Sequence, residues 1–348
     1  MRRPYESVAA NLADLDPVSV CCLPDGSVDD HYELGPDGGR VASRRAFARA
    51  VANGRGSLPR RRVAREPGGQ AVNAARQAAA LGDEVTLFGH LDHDAFERLD
   101  PSIETLSFGA PSAVDVLRFE ESDLMLVAES SELESWSGSA LREDRPLAAL
   151  RDADAVCVGN WASVPGLEAA FDALAEEVTE TLVVVDPGPV SDLSGERVEG
   201  LLSALRSLSS ANEVVLSLNG RELSALVDHL DEEADDDTAG LAAVSRAAAL
   251  RLAVLHDPSR AVAVSGGDET NGESAETVTA VPNAEADRVV TTTGAGDRFS
   301  AGLGRALAAG WPTAEALALG NLCATYRVAT GGTGTAAELR AFAEAAVR

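Results

Sequence analysis

From residue 150 onward, short and continuously apolar runs alternate with longer segments of helical period. Ala155–Val158, Thr181–Val185, Glu213–Leu218 and Ala261–Val264 read as strands, and Gly166–Val178, Arg221–Leu230 and Gly240–Leu255 as helices. Strands that are apolar on both faces must be covered on both faces. A parallel sheet held between two helix layers does this. Val18–Leu23 and Val85–Phe88 supply two further buried strands nearer the N-terminus. Ligands of such a sheet collect at the carboxyl ends of its strands. The chain has 348 residues with no internal repeat and no low-complexity linker, so residues 1–348 read as one α/β domain.

One turn at those strand ends carries chemistry. Val289-Val290-Thr291-Thr292-Thr293-Gly294-Ala295-Gly296-Asp297-Arg298-Phe299 passes from an apolar, strand-like pair through threonines into a Gly-Ala-Gly turn and a helix start. Unpaired N–H groups of Gly294, Ala295 and Gly296 would form an anion site there, reinforced by the helix dipole. A carboxylate beside an anion site is repelled, so Asp297 should have a task. General base is the natural one: it takes a hydroxyl proton while the amides hold phosphoryl charge. An ordinary strand-to-helix turn with an acidic first-turn residue has the same spacing. A second turn, Pro67-Gly68-Gly69-Gln70-Ala71-Val72-Asn73, lies about 220 residues earlier and precedes a small-residue helix.

Together, in this order, the two turns resemble the paired signatures of the ribokinase-like (PfkB) carbohydrate kinases, over nearly the whole chain. The resemblance implies a three-layer α/β/α fold with a mostly parallel central sheet and a small β lid. The lid would come from about residues 31–66 and 107–130, where Ser112–Phe119 and Leu124–Glu129 read as a hairpin. It implies ATP and Mg²⁺ as cofactors, Asp297 as the catalytic base, and Gly294, Ala295 and Gly296 as its anion site. Gly68, Gly69 and Asn73 would hold sugar hydroxyls, together with Asp29 after the first strand; Asp30 stands one register away. Asn219 and Glu222, three apart on one helical face, would organise Mg²⁺ through water, although a helix cap explains the same spacing. Ser265 and Gly267, with Thr292 and Thr293, would touch the nucleotide. Arg298 would reach the transferring phosphoryl group or pair with a surface acid.

The sequence also departs from the family pattern. Thr291 stands where an Asp often helps build a monovalent-cation site, which puts K⁺ as a further cofactor in question. The usual Gly-led opening after the first strand is Leu23-Pro24-Asp25-Gly26. The run after Asp186 lacks the usual Asn and Arg, and residues 89–96 lack the usual glycines. The chain is thus a divergent member.

Charge restricts the partners. Fifty-six acidic residues face 29 basic ones, for a net charge of −27, and every basic residue is Arg. Acid spread among apolar-periodic segments reads as a halophilic surface that molar salt screens, not as a disordered tail. Such a field argues against nucleic-acid binding. No apolar run reaches membrane-spanning length and no signal-like core opens the chain, so a cytoplasmic protein without membrane partners is expected. Cys21, Cys22, Cys157 and Cys323 lack metal-site spacing and read as buried thiols.

Nine of the arginines fall within residues 31–66. They are salt-bridge partners for acidic neighbours, or they recognise an anionic substrate. The second reading leads to ribose 1-phosphate as first substrate, giving ribose 1,5-bisphosphate, with fructose 1-phosphate next. Free ribose, 2-keto-3-deoxygluconate or a nucleoside remain within the class. Few lid aromatics (Tyr32, Phe47, Phe108, Phe119) are available to hold a base. A catalytically dead sugar or nucleotide sensor is the non-enzyme alternative, opposed by retention of Asp297 and its full turn. A lid sheet edge could pair across a homodimer.

Overall fold

In the computed structural model, residues 2–35, 40–120, 122–232, 234–266 and 277–346 are described. Among them are thirteen strands: β1 (Ser19–Leu23), β2 (Ser27–Leu34), β3 (Arg60–Gly68), β4 (Glu84–Gly89), β5 (Ile103–Ser107), β6 (Ser112–Leu117), β7 (Leu124–Ala128), β8 (Ala155–Gly159), β9 (Leu182–Asp186), β10 (Glu213–Leu218), β11 (Leu252–His256), β12 (Arg260–Ser265) and β13 (Thr277–Pro282). Nine form one sheet in the order β13-β12-β11-β10-β9-β8-β1-β4-β5. From β11 to β5 every pairing is parallel, while β12 runs antiparallel to both of its neighbours.

The apolar runs explain the two helix layers. Val20 and Cys22 of β1, Val184 of β9 and Val254 of β11 enter one core; Cys21, Leu23, Val183, Val185, Ala253 and Leu255 enter the other. Successive residues point to opposite faces, so each central strand feeds both. On the first face, helix Ala295–Ala308 packs on helix Thr313–Thr330, on helix Gln70–Leu81 and on β8 and β9. All four cysteines are free and buried. No helix among the described residues is long and apolar enough to cross a membrane.

Three expectations fail locally. The helix expected over Gly240–Leu255 ends at Ala248; Ala249 turns left-handed (φ 52°), and Leu252–His256 is a central strand. A four-residue apolar run such as Leu252–Leu255, buried on both faces, has no period that separates strand from helix. Val289 and Val290 form no strand and stay exposed, at 66% and 38%. Residues 44–52, read only as polar lid chain, form a helix capped by the Ser43 side chain.

The second sheet, in the order β3-β2-β6-β7, is the lid. β2 leaves β1 through Pro24-Asp25-Gly26, and β3 ends at Gly68, with only Gly69 between it and helix Gln70–Leu81. Both lid strands therefore join the main body at one place. Its outer strand β7 leaves Met125, Leu126 and Val127 about half exposed.

Candidate active site

β1, β8, β9, β10 and β11 end side by side, and the polar residues that follow them converge. Asp297, in the first turn of helix Ala295–Ala308, accepts a hydrogen bond of 2.7 Å from Asn73 Nδ2 on helix Gln70–Leu81. The two turns singled out in the sequence thus meet at one carboxylate. Gly294 takes φ +73°, a region that favours glycine, and so aims the next amides along the helix start. The Ala295 N–H is engaged by the Thr292 carbonyl at 3.3 Å. The Gly294 and Gly296 amides have no such turn bond among the described residues, so the expected three-donor site keeps two unencumbered members. Gly68 is set by a close approach: a Cβ there would come within 2.2 Å of Asp29 Oδ2. Asp29 accepts from Ser27 Oγ at 2.6 Å, whereas Asp30 is turned to Arg62 and Arg65.

Sequence reasoning missed Asp25. It follows β1, is 4% exposed, and caps helix Gln70–Leu81 by accepting from the Gln70 and Ala71 amides at 3.0 and 2.8 Å. Asn160 Nδ2 donates to it at 3.0 Å. Gln70 and Asp186 complete this floor: Gln70 Nε2 donates to Asp186 Oδ1 at 3.1 Å, and Ser300 Oγ to Asp186 Oδ2 at 3.2 Å. A carboxylate just beyond a buried strand was the available signal for Asp25, two residues past β1, and Asp186 is the last residue of β9.

Electrostatics follow from this crowding. Burial first, then the Asp186 charge, pushes the Asp297 carboxyl up to about 6, against the Asn73 hydrogen bond. Burial likewise raises Asp25 and Asp186 to about 6, and Glu222 to about 8 with Asp186 as the next cause. Three buried carboxyl groups and the partly buried Asp297, without adequate cationic compensation, suit a positively charged guest. Asn219 spends its Oδ1 on the Arg221 and Glu222 amides, and Glu222 Oε2 accepts from the Asn219 amide, so the pair forms a complete capping box. Glu222 retains one oxygen beyond the cap. Among the described residues no three such side chains converge tightly enough to cage a bare ion. The donor set therefore suits Mg²⁺ that keeps its waters, near Glu222 and Asp186.

An open cavity of about 830 Å³ adjoins Asp297's turn, lined by Asn219, His256, Asn283, Thr292, Gly296 and Phe299 among others. Thr292 lines it. Thr293 instead gives its carbonyl to Arg327 Nε at 3.1 Å. Ser265 is a correction. It ends β12 and pairs with Leu252 at the start of β11, at the opposite edge of the sheet, and its Oγ accepts from Thr277 N. The antiparallel turn of β12 causes this: once β11 is recognised as a strand, the strand end facing the cavity is His256-Asp257-Pro258-Ser259. Gly267 lies outside the described residues.

Arg298 is also corrected, because it neither reaches outward nor pairs on the surface. It is fully buried, donating to the Gly294 carbonyl at 2.7 Å and to Thr333 Oγ1 at 3.1 Å, and burial pulls its guanidinium down to about 9. It braces the turn from behind. Thr291 Oγ1 donates to Asp123 Oδ2 of the lid at 3.4 Å. Four of the nine lid arginines are matched by carboxylates: Arg60 with Asp115, Arg61 with Glu33, and Arg62 and Arg65 with Asp30.

The sequence profile of the prokaryotic ketohexokinase family matches residues 52–345. A ketohexokinase of Haloferax volcanii is 30% identical over 293 residues, covering 79% of this chain and 74% of that protein. Among solved structures, a ribokinase from Thermotoga maritima superposes with a TM-score of 0.66 at 16% identity, covering 94% of this chain and 99% of its own. An adenosine kinase from Sinorhizobium meliloti gives a TM-score of 0.68 at 18% identity, covering 95% and 100%. At these identities the structural likeness establishes the ribokinase-like fold alone.

Proposed function

Since the chain belongs to the prokaryotic ketohexokinase family, and is thus a ribokinase-like carbohydrate kinase, we propose that it transfers the γ-phosphoryl group of ATP to a hydroxyl of a ketohexose such as fructose. The observation that carries the reading is the position of Asp297. It is held by Asn73 from the lid-side turn, and it sits on the helix start that borders the large cavity. A sugar under the lid would meet Gly68, Gly69, Asn73 and Asp29; the nucleotide would occupy the cavity beside Thr292 and Gly296. Asp297 takes the hydroxyl proton, the sugar oxygen bonds to the γ-phosphorus, and the bond to the bridging oxygen breaks, releasing ADP. The Gly294 and Gly296 amides face the charge on the transferring group. Bound Mg²⁺, held through water near Glu222 and Asp186, would neutralise phosphate charge. Asp25 fixes the helix that presents Asn73.

A ketohexose replaces ribose 1-phosphate as first substrate. The phosphosugar idea rested on free lid arginines, and four of them are occupied by carboxylates. The test is ATP consumption in molar KCl with Mg²⁺, comparing fructose, ribose and ribose 1-phosphate. Turnover on fructose well above the other two is expected; preference for ribose 1-phosphate would reverse the assignment. The exposed apolar strand β7 supports a homodimer through the lid, which light scattering of the protein and a Leu126→Glu variant would check.

A further inference from the structure

Arg327 is not used by this mechanism, yet it holds the back of the anion turn. In a trans, planar peptide unit the carbonyl and the N–H point in opposite directions. A group that grips the Thr293 carbonyl from behind therefore turns the Gly294 N–H of the same unit to the front. Arg327 Nε donates to that carbonyl at 3.1 Å. The next unit is gripped in the same way, since Arg298 Nη1 donates to the Gly294 carbonyl at 2.7 Å, but its N–H, on Ala295, is already engaged by the Thr292 carbonyl. Arg298 thus stands behind a spent donor and Arg327 behind a free one.

Arg327 is itself firmly placed. It lies in the last turn of helix Thr313–Thr330, where a cation meets the negative end of the helix dipole. Its Nη1 donates to the Gly331 carbonyl, and its own carbonyl accepts from the Gly331 N–H at 2.8 Å, with Gly331 ending the helix at φ +77°. The Val290 N–H donates to the Val328 carbonyl at 2.8 Å and Arg288 Nε to the Ala329 carbonyl at 3.1 Å, so the approach to the turn is docked on the same helix end. Burial draws the guanidinium below its ordinary range, and Glu66 of the lid is the largest charge opposing this. Both of its hydrogen-bond acceptors are backbone carbonyls, and among the described residues no carboxylate pairs with it.

We infer that Arg327 is a positioning residue for phosphoryl transfer: its guanidinium, seated on the Thr293 carbonyl, aims and polarises the Gly294 N–H toward the transferring group. A hydrogen bond from a charged donor is stronger than one between neutral groups, and successive hydrogen bonds polarise one another. A cation behind the peptide unit strengthens the amide in front of it without touching substrate. That amide counts most while charge develops on the transferring oxygens, so the effect falls on kcat.

The inference rests on the kinase reading above, and the experiment separates the two. Turnover of ATP with fructose in molar KCl and Mg²⁺ is compared for wild type, Arg327→Gln and Arg327→Lys, with ADP affinity read by calorimetry and folding by thermal midpoint. Arg327→Gln keeps a donor for the carbonyl but no charge, and should lower kcat about 30-fold, part of what loss of an amide donor costs. Fructose KM and ADP affinity should stay within about twofold of wild type, because neither fructose nor ADP carries the transferring group. Arg327→Lys restores the charge and should be at least about fivefold faster than Arg327→Gln. The lysine variant also serves if the glutamine variant fails to fold, through the same split between kcat and KM. Wild-type kcat in Arg327→Gln, a lysine variant no faster than the glutamine one, or equal losses in kcat and ADP affinity would overturn the inference alone. Absence of turnover by wild type on every sugar would overturn the kinase reading and this inference with it.

Discussion

The lid and the cleft use the same residue types in opposite electrostatic ways. In the lid, Arg65 and Arg62 draw the Asp30 carboxyl below its ordinary range. Arg60 and Arg61 engage Asp115 and Glu33 in the same sheet. In the cleft, Asp25, Asp186, Glu222 and Asp297 are all raised, because burial removes water and the carboxylates repel one another. Paired, solvated charge hardly alters function or stability. Unpaired, buried charge costs folding free energy, and it leaves a proton acceptor tuned near neutrality and a place for a cation. A further buried carboxylate, Asp83 before β4, is paired with Arg305; the four in the cleft have no such partner among the described residues.

The comparison breaks most sharply at Asp297. Asp297→Asn should lower kcat by about 10³-fold while ADP affinity, measured calorimetrically, is kept. Loss of ADP binding together with turnover would make Asp297 a structural residue instead. Asn73→Ala removes a hydrogen bond that favours the charged carboxylate, and the expected cost is about tenfold in kcat/KM. A base must be deprotonated, so wild-type kcat/KM should fall as pH drops through about 6, the value reached by Asp297. In Asn73→Ala that acid limb should move to higher pH; an unmoved or lower limb would separate Asn73 from the base.

Stability gives a third contrast. A carboxyl group whose folded pKa lies above its unfolded value binds its proton more tightly in the native state. Its stabilising contribution is present below the unfolded pKa and is lost as pH rises through the folded one. For Asp25, Asp186 and Asp297 that window runs from the ordinary value of 3.8 to about 6, and for Glu222 it extends to about 8. The thermal midpoint in molar KCl without Mg²⁺ should therefore fall between pH 5 and pH 8, by roughly 5 °C or more. Mg²⁺ with ADP should reduce the fall, and a midpoint that rose across the window would contradict cleft repulsion. The smallest effect belongs to the lid. Asp30→Asn should cost about 0.5 kcal/mol in denaturant unfolding at low salt and less in molar KCl.

What could be read in advance divides along physical lines. The Gly294–Asp297 and Gly68–Asn73 turns were legible because each is local: a special backbone angle or a close approach demands particular residues in a short span. The two-sided burial of the central strands was legible from apolar continuity. β11 was not, since Leu252–Leu255 is a short apolar run that follows an alanine-rich helix without a Gly or Pro between them. That one lost strand moved the expected nucleotide turn to Ser265, at the wrong end of the sheet. Asp25 was passed over for Asp29 because both follow the same strand, and only packing shows which carboxylate meets the Gln70 and Ala71 amides.

By itself, then, the sequence determined the layer architecture, the two glycine turns, the carboxylate between them and an acidic surface, all fixed by neighbours within a few residues or by overall composition. Tertiary structure decided the rest. It placed Arg298 behind the turn instead of on the substrate, gave four lid arginines to lid carboxylates, and set His256 against Gly296. Each of those outcomes depends on which residues, tens of positions apart in the chain, come within a few ångströms when the sheets and helices pack. No local pattern encodes that distance.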